Sequence, residues 1–279
     1  MIIKEALGFA GRISSDSPRL DLEVMLACVL GVNRTYLFTW PEKHLTPQQE
    51  QVFLTMLSRR IAGEPVAYIT GAREFWSLSL HCDPSTLIPR PDTECLVEVA
   101  LQHLSSHCEN RVLDLGTGTG AIALAIASER PQSMVIAADV ISAAVAVAQK
   151  NSQRLKLTNI QVLQSDWFES IEGKYDLIVS NPPYIDSEDV HLQQGDVRFE
   201  PKTALVSAAN GFADILHIVA SAKPFLKTGA WLMLEHGYQQ AERVRQIFDE
   251  CGYDEIFTAN DLSGLERVSG GRWPGGVNE

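Results

Sequence analysis

From residue 93 onward the chain alternates strand-like and helix-like stretches, and this alternation limits the fold more than any other feature. A helix is predicted over residues 93 to about 107, followed by a strand over 111–115, a helix over 121–128, a strand over 134–139, a helix over 142–155 and a strand over 160–164. A strand ending at Asn181 follows, then a helix near 212–226, a strand over 230–235, a helix over 239–251 and two last strands near 255–259 and 267–270. Short β-branched runs separated by helices pack as an open, largely parallel, twisted sheet with helices on both faces. The expected class is α/β, a Rossmann-like, mostly parallel seven-stranded sheet, preceded by a small all-helical domain. The tail 273–279 reads as loose.

The first 73 residues have a helical pattern. Pro18 to Leu30 forms an amphipathic run stopped by Gly31, and a second run begins at Thr46, a suitable N-cap, with Pro47 in its first turn. Such a domain serves folding or oligomerisation, or docks a partner. Residues 74–91 read as a hairpin linker, strand-like over 75–80 and then stiffened by the prolines of Leu87-Ile88-Pro89-Arg90-Pro91-Asp92-Thr93-Glu94. Arg90 and Glu94 are either ordinary surface charges or members of a cofactor pocket. The remaining 92–279 would form the catalytic domain.

Val112-Leu113-Asp114-Leu115-Gly116-Thr117-Gly118-Thr119-Gly120 joins a buried strand to a glycine-rich turn that opens an Ala/Ile helix. Glycines there permit a tight turn and close approach of a ligand to backbone N–H groups at the helix start. Asp139 ends the next strand, where a carboxylate can accept bonds from both hydroxyls of a ribose. A nucleoside cofactor follows. The spacing also suits a nicotinamide cofactor, and the glycines alone do not choose. Asp114 favours the alternative, S-adenosylmethionine, because it would repel a pyrophosphate yet suits a cationic amino-acid tail. Ser165-Asp166-Trp167-Phe168, after the third strand, adds an acid and an aromatic where an adenine would lie.

The strand Tyr175 to Ser180 runs into Asn181-Pro182-Pro183-Tyr184. Two prolines forbid further ladder donation and stiffen the residues before them, so the chain leaves the sheet with a rigid set of acceptors at a strand's carboxyl end. The Asn181 side-chain oxygen and the Pro182 carbonyl together accept both hydrogens of a planar NH2 group, and the Tyr184 ring offers a stacking face. A Pro-Pro pair alone often just ends a strand; its place in a cofactor-binding sheet gives it the functional reading.

Charge narrows the partner. The net charge is −12, and the first 73 residues hold 8 basic and 7 acidic side chains, so the acid excess sits in the part that carries the motifs. That argues against a large nucleic-acid footprint and suits a basic protein partner. Five scattered cysteines without a Cys-x-x-Cys pair read as reduced thiols, and His103, His107 and Cys108, at helical spacing, read as a solvated face with no metal. With no long apolar run or signal-like amino terminus, the expectation is a cytoplasmic protein with no membrane contact.

With both motifs in hand, the chain resembles the peptide chain release factor glutamine methyltransferases, within the class of methyltransferases that carry Asn-Pro-Pro-Tyr after the fourth strand. The resemblance spans nearly the whole chain. It includes Gly63-Glu64-Pro65-Val66-Ala67-Tyr68-Ile69-Thr70-Gly71, the linker Leu87 to Glu94, the turn Asp114 to Gly120, Ser165 to Phe168, Phe199-Glu200-Pro201 and Leu234-Glu235-His236-Gly237. Ser165 departs from the family, which more often has glycine there. The resemblance implies methyl transfer from S-adenosylmethionine, leaving S-adenosylhomocysteine, to the side-chain amide nitrogen of the glutamine in the Gly-Gly-Gln motif of release factors. A monomer is the expectation, although nothing in the sequence fixes the oligomeric state. The resemblance further implies that Gly116, Thr117, Gly118, Thr119 and Gly120 line the methionine and ribose, with Asp114 toward the amino-acid tail. Asp139 would bind the ribose, Asp166 and Trp167 would flank the adenine, and Asn181, Pro182, Pro183 and Tyr184 would hold the glutamine. It assigns no role to Glu235 or His236. Three rivals remain: methylation of an exocyclic amine of adenine or guanine in a nucleic acid, a non-catalytic cofactor-binding adaptor, and a nicotinamide oxidoreductase.

An amide nitrogen is a poor nucleophile because its lone pair is delocalised, and no His, Cys or Lys near the motif is placed as a base. Positioning and polarisation of the NH2 group by Asn181 and Pro182 is therefore the expected source of rate.

Overall fold

The computed structural model describes residues 1–276, which form two compact units. One consists of Met1–Ala72 together with Val190–Phe199, and the other of the remainder of the described chain.

In the first unit, helices Ile3–Leu7, Pro18–Leu30, Arg34–Thr39, Pro47–Ile61 and Val66–Thr70 enclose a core around Leu22, Met25, Leu26, Leu37 and Phe53. Its boundaries are chemical. Gly31, at φ +66°, takes the left-handed conformation that closes the helix Pro18–Leu30. Thr46 Oγ1 accepts from Gln49 N at 3.2 Å while Thr46 N donates to Gln49 Oε1 at 2.9 Å, a reciprocal capping box. Val190–Phe199, which the sequence pattern groups with the α/β part, clusters here because Asp196 meets Arg60. That guanidinium is buried, donates to Asp21 and Asp196 at 2.8 Å each, and bonds the carbonyls of Gly63 and Glu64 at 3.3 and 3.0 Å.

Strands β1 (Ala72–Phe75) and β2 (Leu78–His81) form the hairpin, whose turn falls at Trp76-Ser77 inside the stretch that reads as one strand. Both turn residues have positive φ, +52° and +58°, the geometry a two-residue hairpin loop needs. Trp-Ser lacks the usual Asn-Gly signature, so the turn is silent in the sequence.

The central sheet contains β3 (Arg111–Leu115), β4 (Met134–Asp139), β5 (Ile160–Gln164), β6 (Tyr175–Ser180), β7 (Leu226–Glu235), β8 (Asp254–Asn260) and β9 (Glu266–Arg272). Their order is β5-β4-β3-β6-β7-β9-β8, parallel throughout except at β9, which is antiparallel to both β7 and β8. Helices Glu94–His103 and Ala121–Glu129 bury one face, Ala213–Ser221 and Ala241–Glu250 the other. The chain winds outward in opposite directions from β3 and β6, which makes the crevice at their carboxyl ends the switch point where doubly wound sheets bind ligands.

Three elements depart from expectation. The first helix ends at His103, so His107 and Cys108 share no helical face with it; the His103 ring packs 4.6 Å from Trp231 and 5.5 Å from Phe257. The helix expected near 212–226 stops at Ser221, and β7 begins at Leu226 because Pro224 ends the helical run and Leu226 pairs with Tyr175. Trp273 is not loose: its N–H donates to Ala230 O at 2.8 Å, its carbonyl accepts from Gly229 N at 2.7 Å, and its ring lies 5.6 Å from Tyr253. The last part of that tail, 277–279, lies outside the described residues.

Candidate active site

A cavity of about 370 Å³ opens at the carboxyl ends of β3, β4, β5 and β6. Register explains why two distant motifs share it. Leu115 pairs with Ser180 across the parallel β3–β6 ladder, and Ser180 Oγ donates to Leu115 O at 2.7 Å, so Gly116 and Asn181 leave the sheet side by side.

On the cofactor side, Gly116, Gly118 and Gly120 have φ of +69°, +54° and +84°. Gly120 could not be replaced cheaply, since a Cβ there would stand 2.9 Å from the Leu124 side chain and 3.3 Å from Ala148. Asp139 Oδ2 accepts from Gly118 N and its Oδ1 from Ile141 N, both at 2.9 Å, so this carboxylate shapes the glycine turn while still lining the cavity. Burial raises its pKa against those backbone bonds. Trp167 enters from the loop after β5 with φ +44°, a strained conformation for a bulky residue. That loop is tied by Ser165, whose hydroxyl donates to Trp167 O at 2.9 Å and accepts from Ser170 N at 3.0 Å. A glycine there would lack both bonds. A glycine cradle, a carboxylate at the end of β4 and an indole with Asp166 beyond β5 fit the polar tail, ribose and flat base of S-adenosylmethionine.

Asp114 lies elsewhere than expected. It is fully buried behind the turn, off the cavity wall, with Oδ2 accepting from Thr117 Oγ1 at 2.6 Å and Oδ1 without a partner. Burial pushes its carboxyl up to about 7, opposed first by the Thr117 hydroxyl. Gly120 also sits behind the wall, while Gly116, Thr117, Gly118, Thr119, Asp139, Asp166 and Trp167 line it.

On the substrate side, Asn181 and Pro183 line the cavity; Pro182 and the Tyr184 ring do not. Asn181 Nδ2 donates to Thr93 Oγ1 at 3.2 Å, leaving the side-chain oxygen as its free acceptor. Tyr184 is held from behind: its hydroxyl donates to Glu235 Oε1 at 3.2 Å, and its carbonyl accepts from Gln240 Nε2 at 3.1 Å. Gly211 makes room for that carbonyl, because a Cβ there would stand 2.2 Å from it. His236 is buried, with Nε2 bonded to Ser269 Oγ at 2.8 Å and Nδ1 next to Gly237 O at 2.9 Å, and burial lowers its pKa.

The proline-rich linker forms the remaining wall through Leu87, Pro89 and Arg90. Glu200 of the Phe-Glu-Pro stretch secures it: Oε2 accepts from Ile88 N at 3.1 Å and Oε1 pairs with Arg90. Glu94 instead caps the hairpin, accepting from Trp76 N at 2.9 Å. Residue-type reasoning missed Thr93 and Glu200 as site members. Glu200 had a signal in its apolar, proline-flanked setting; Thr93 had none.

Comparison with known proteins gives a consistent picture. Residues 3–71 match the family model for the PrmC N-terminal domain, and residues 94–205 match the methyltransferase small domain. The chain is 55% identical to release factor glutamine methyltransferase of Escherichia coli K12, covering 93% of this chain and 94% of that protein. It is 53% identical to the release factor glutamine methyltransferase of Aliivibrio fischeri, covering 93% and 92%. A methyltransferase from Pyrococcus furiosus, 17% identical, superposes with a TM-score of 0.55 over 79% of this chain and 98% of that one, a likeness of fold.

Proposed function

The chain belongs to the release factor glutamine methyltransferase family and is an S-adenosylmethionine-dependent protein-glutamine N-methyltransferase, and we propose that it methylates the glutamine amide of the Gly-Gly-Gln motif at the cavity edge formed by Asn181 and Pro183. The observation that carries the site reading is the 3.2 Å bond from Asn181 to Thr93. It occupies the Asn181 nitrogen and frees an oxygen to accept from a substrate NH2 group, the polarity an amide substrate requires.

Bound S-adenosylmethionine supplies an electrophilic methyl group. Gly116 to Thr119 and Asp139 would hold its polar end and Trp167 its base, while the Asn181 side-chain oxygen would orient the substrate nitrogen beside Pro183. The methyl group would pass to the amide nitrogen held at Asn181, and one N–H proton would be lost from that nitrogen. Asn181, by accepting from the NH2 group, stabilises the positive charge that grows on nitrogen. Rigidity of the loop keeps the reacting groups aligned.

The same reading takes the enzyme to be monomeric, cytoplasmic and without a nucleic-acid partner. Among the described residues no helix is long and apolar enough to cross a membrane.

The test is transfer of labelled methyl from S-adenosylmethionine to purified release factor, to a copy with the motif glutamine replaced, and to total RNA and DNA. Label on the intact factor alone is the expected result. Label on nucleic acid would move the assignment to exocyclic base amines.

A further inference from the structure

The glycine turn has a support besides Asp139. Helix Ser142–Leu155, which follows β4, carries Ala144, Ala148 and Asn151 at i, i+4 and i+7, so the three fall on one buried face. Ala144 lines the cavity, and Ala148 packs on Gly120, where an added Cβ would stand 3.3 Å from it. Asn151 is fully buried and lies off the cavity wall. Its Nδ2 donates to Thr119 O at 2.9 Å, a carbonyl of the turn itself.

The rest of the same amide engages the hairpin. Asn151 Nδ2 also donates to His81 O at 3.0 Å, and Asn151 Oδ1 accepts from His81 N at 2.7 Å, so the side chain pairs with the last residue of β2 as a neighbouring strand would. Just beyond, Asp83 Oδ1 accepts from Ser85 N at 2.9 Å in the turn that carries Ser85, Thr86 and Leu87 into the cavity wall. A primary amide has two hydrogens and one oxygen, and here each hydrogen has its own carbonyl while the oxygen takes the His81 N–H. No other side-chain chemistry of this size answers all three groups. A carboxylate would set oxygen against two carbonyls, and an apolar side chain would bond to none of them.

We infer that Asn151 is a positioning residue for the cofactor site: its single amide holds the glycine turn and the linker wall at one fixed spacing, the spacing S-adenosylmethionine needs. The inference rests on the reading of Gly116 to Thr119 as the cofactor cradle. Because Asn151 stands off the cavity wall, its effect appears in cofactor affinity and not in turnover once the cofactor is bound. It also couples two elements. Binding that steadies the turn steadies what the turn is tied to, so bound cofactor protects β2, although β2 itself does not line the cavity.

The experiment uses full-length wild type, Asn151→Leu, Asn159→Ala and Asp139→Asn. Asn159 is the control, an amide whose Nδ2 donates to the carbonyls of Ala127, Arg130 and Ser133 at 3.0, 3.2 and 3.0 Å, none of which lines the cavity. Titration calorimetry with S-adenosylmethionine should show about tenfold weaker binding in Asn151→Leu, the effect of one lost hydrogen bond, and binding within about twofold of wild type in Asn159→Ala. At saturating cofactor kcat should stay within about threefold of wild type in both, the split that marks lost binding and intact chemistry. Adding S-adenosylmethionine should slow hydrogen exchange at residues 78–82 by about tenfold in wild type and by less than about twofold in Asn151→Leu. Unchanged affinity in Asn151→Leu, a loss equalled by Asn159→Ala, or a loss that falls on kcat instead overturns the inference. So does exchange at 78–82 that ignores the cofactor in wild type. Unchanged affinity in Asp139→Asn overturns the cradle reading itself. Should Asn151→Leu fail to fold, the wild-type exchange decides.

Discussion

Asn181 gives a side-chain hydrogen to Thr93 across 88 residues of chain, and this contact joins the Asn-Pro-Pro-Tyr loop to the turn that ends the proline-rich linker. Two segments with little in common as sequence thus act as one wall of the site. Arg267 fastens the same turn through Asp92, so the floor beneath the reacting amide is built from β7, β9 and the linker together.

Replacing Asn181 by alanine removes the acceptor for the substrate NH2 group without touching the glycine turn or Asp139. Turnover should fall by about 100- to 1,000-fold, as when a single transition-state hydrogen bond is deleted. Calorimetry should find S-adenosylmethionine affinity nearly unchanged.

The rate should depend on pH through Glu235. Burial pushes its carboxyl up to about 7, opposed by the Thr93 hydroxyl, Arg267 and the Tyr184 hydroxyl and reinforced by Asp92, with Cys95 also within its field. A carboxyl is anionic above its pKa, so Glu235 holds the Tyr184 hydroxyl as a carboxylate above about 7 and gains a hydrogen of its own as pH falls through that value. Single-turnover rates from pH 5.5 to 8.5 should therefore fall on the acid side by up to about tenfold per unit, as one required ionisation gives, and Glu235→Gln should be low and flat.

Asp139→Asn exchanges a carboxylate that accepts from Gly118 and Ile141 for an amide that sets one donor against a backbone donor. A buried mismatch of this kind is worth about 1–3 kcal/mol, hence about 10- to 100-fold in S-adenosylmethionine affinity. Titration calorimetry should show that loss, with kcat at saturation less affected.

Glu200→Ala would leave Ile88 N and the Arg90 guanidinium without their shared acceptor while removing no group that lines the cavity. The linker wall should loosen. We expect KM for S-adenosylmethionine to rise by about tenfold, one lost charge-assisted hydrogen bond, with kcat at saturation within about twofold.

In the helical unit, Arg60→Met removes the guanidinium that pairs with the buried Asp21 carboxylate and unties the Val190–Phe199 segment, which Arg60 holds through Asp196. Removing one partner of a buried pair destabilises by about 3–5 kcal/mol. Chemical denaturation followed by hydrogen exchange should place that loss in residues 1–72, and Asp196→Asn, at a half-exposed position, should lose less than about 1 kcal/mol.

What the sequence determined by itself is what local chemistry and periodicity encode. Strands 111–115, 134–139 and 160–164 and the helix 142–155 stand where the pattern puts them, the strands as short, mainly apolar stretches and the helix as a longer amphipathic one. The glycine turn, Asp139, Trp167 and Asn181 were legible because each sits at the carboxyl end of such a strand. Tertiary structure alone decided the rest. Asp114 is adjacent to the glycines in sequence but is turned into the core, since strand alternation and the Thr117 bond hold it behind the turn. Thr93, Glu200 and Glu235 come from three separate segments, and their roles exist only where the sheet order and the proline-rich linker bring them together. A hydrogen bond between residues far apart in the chain leaves no trace in the spacing of either, which is why the Asn-Pro-Pro-Tyr loop could be read from the sequence while the groups that anchor it could not.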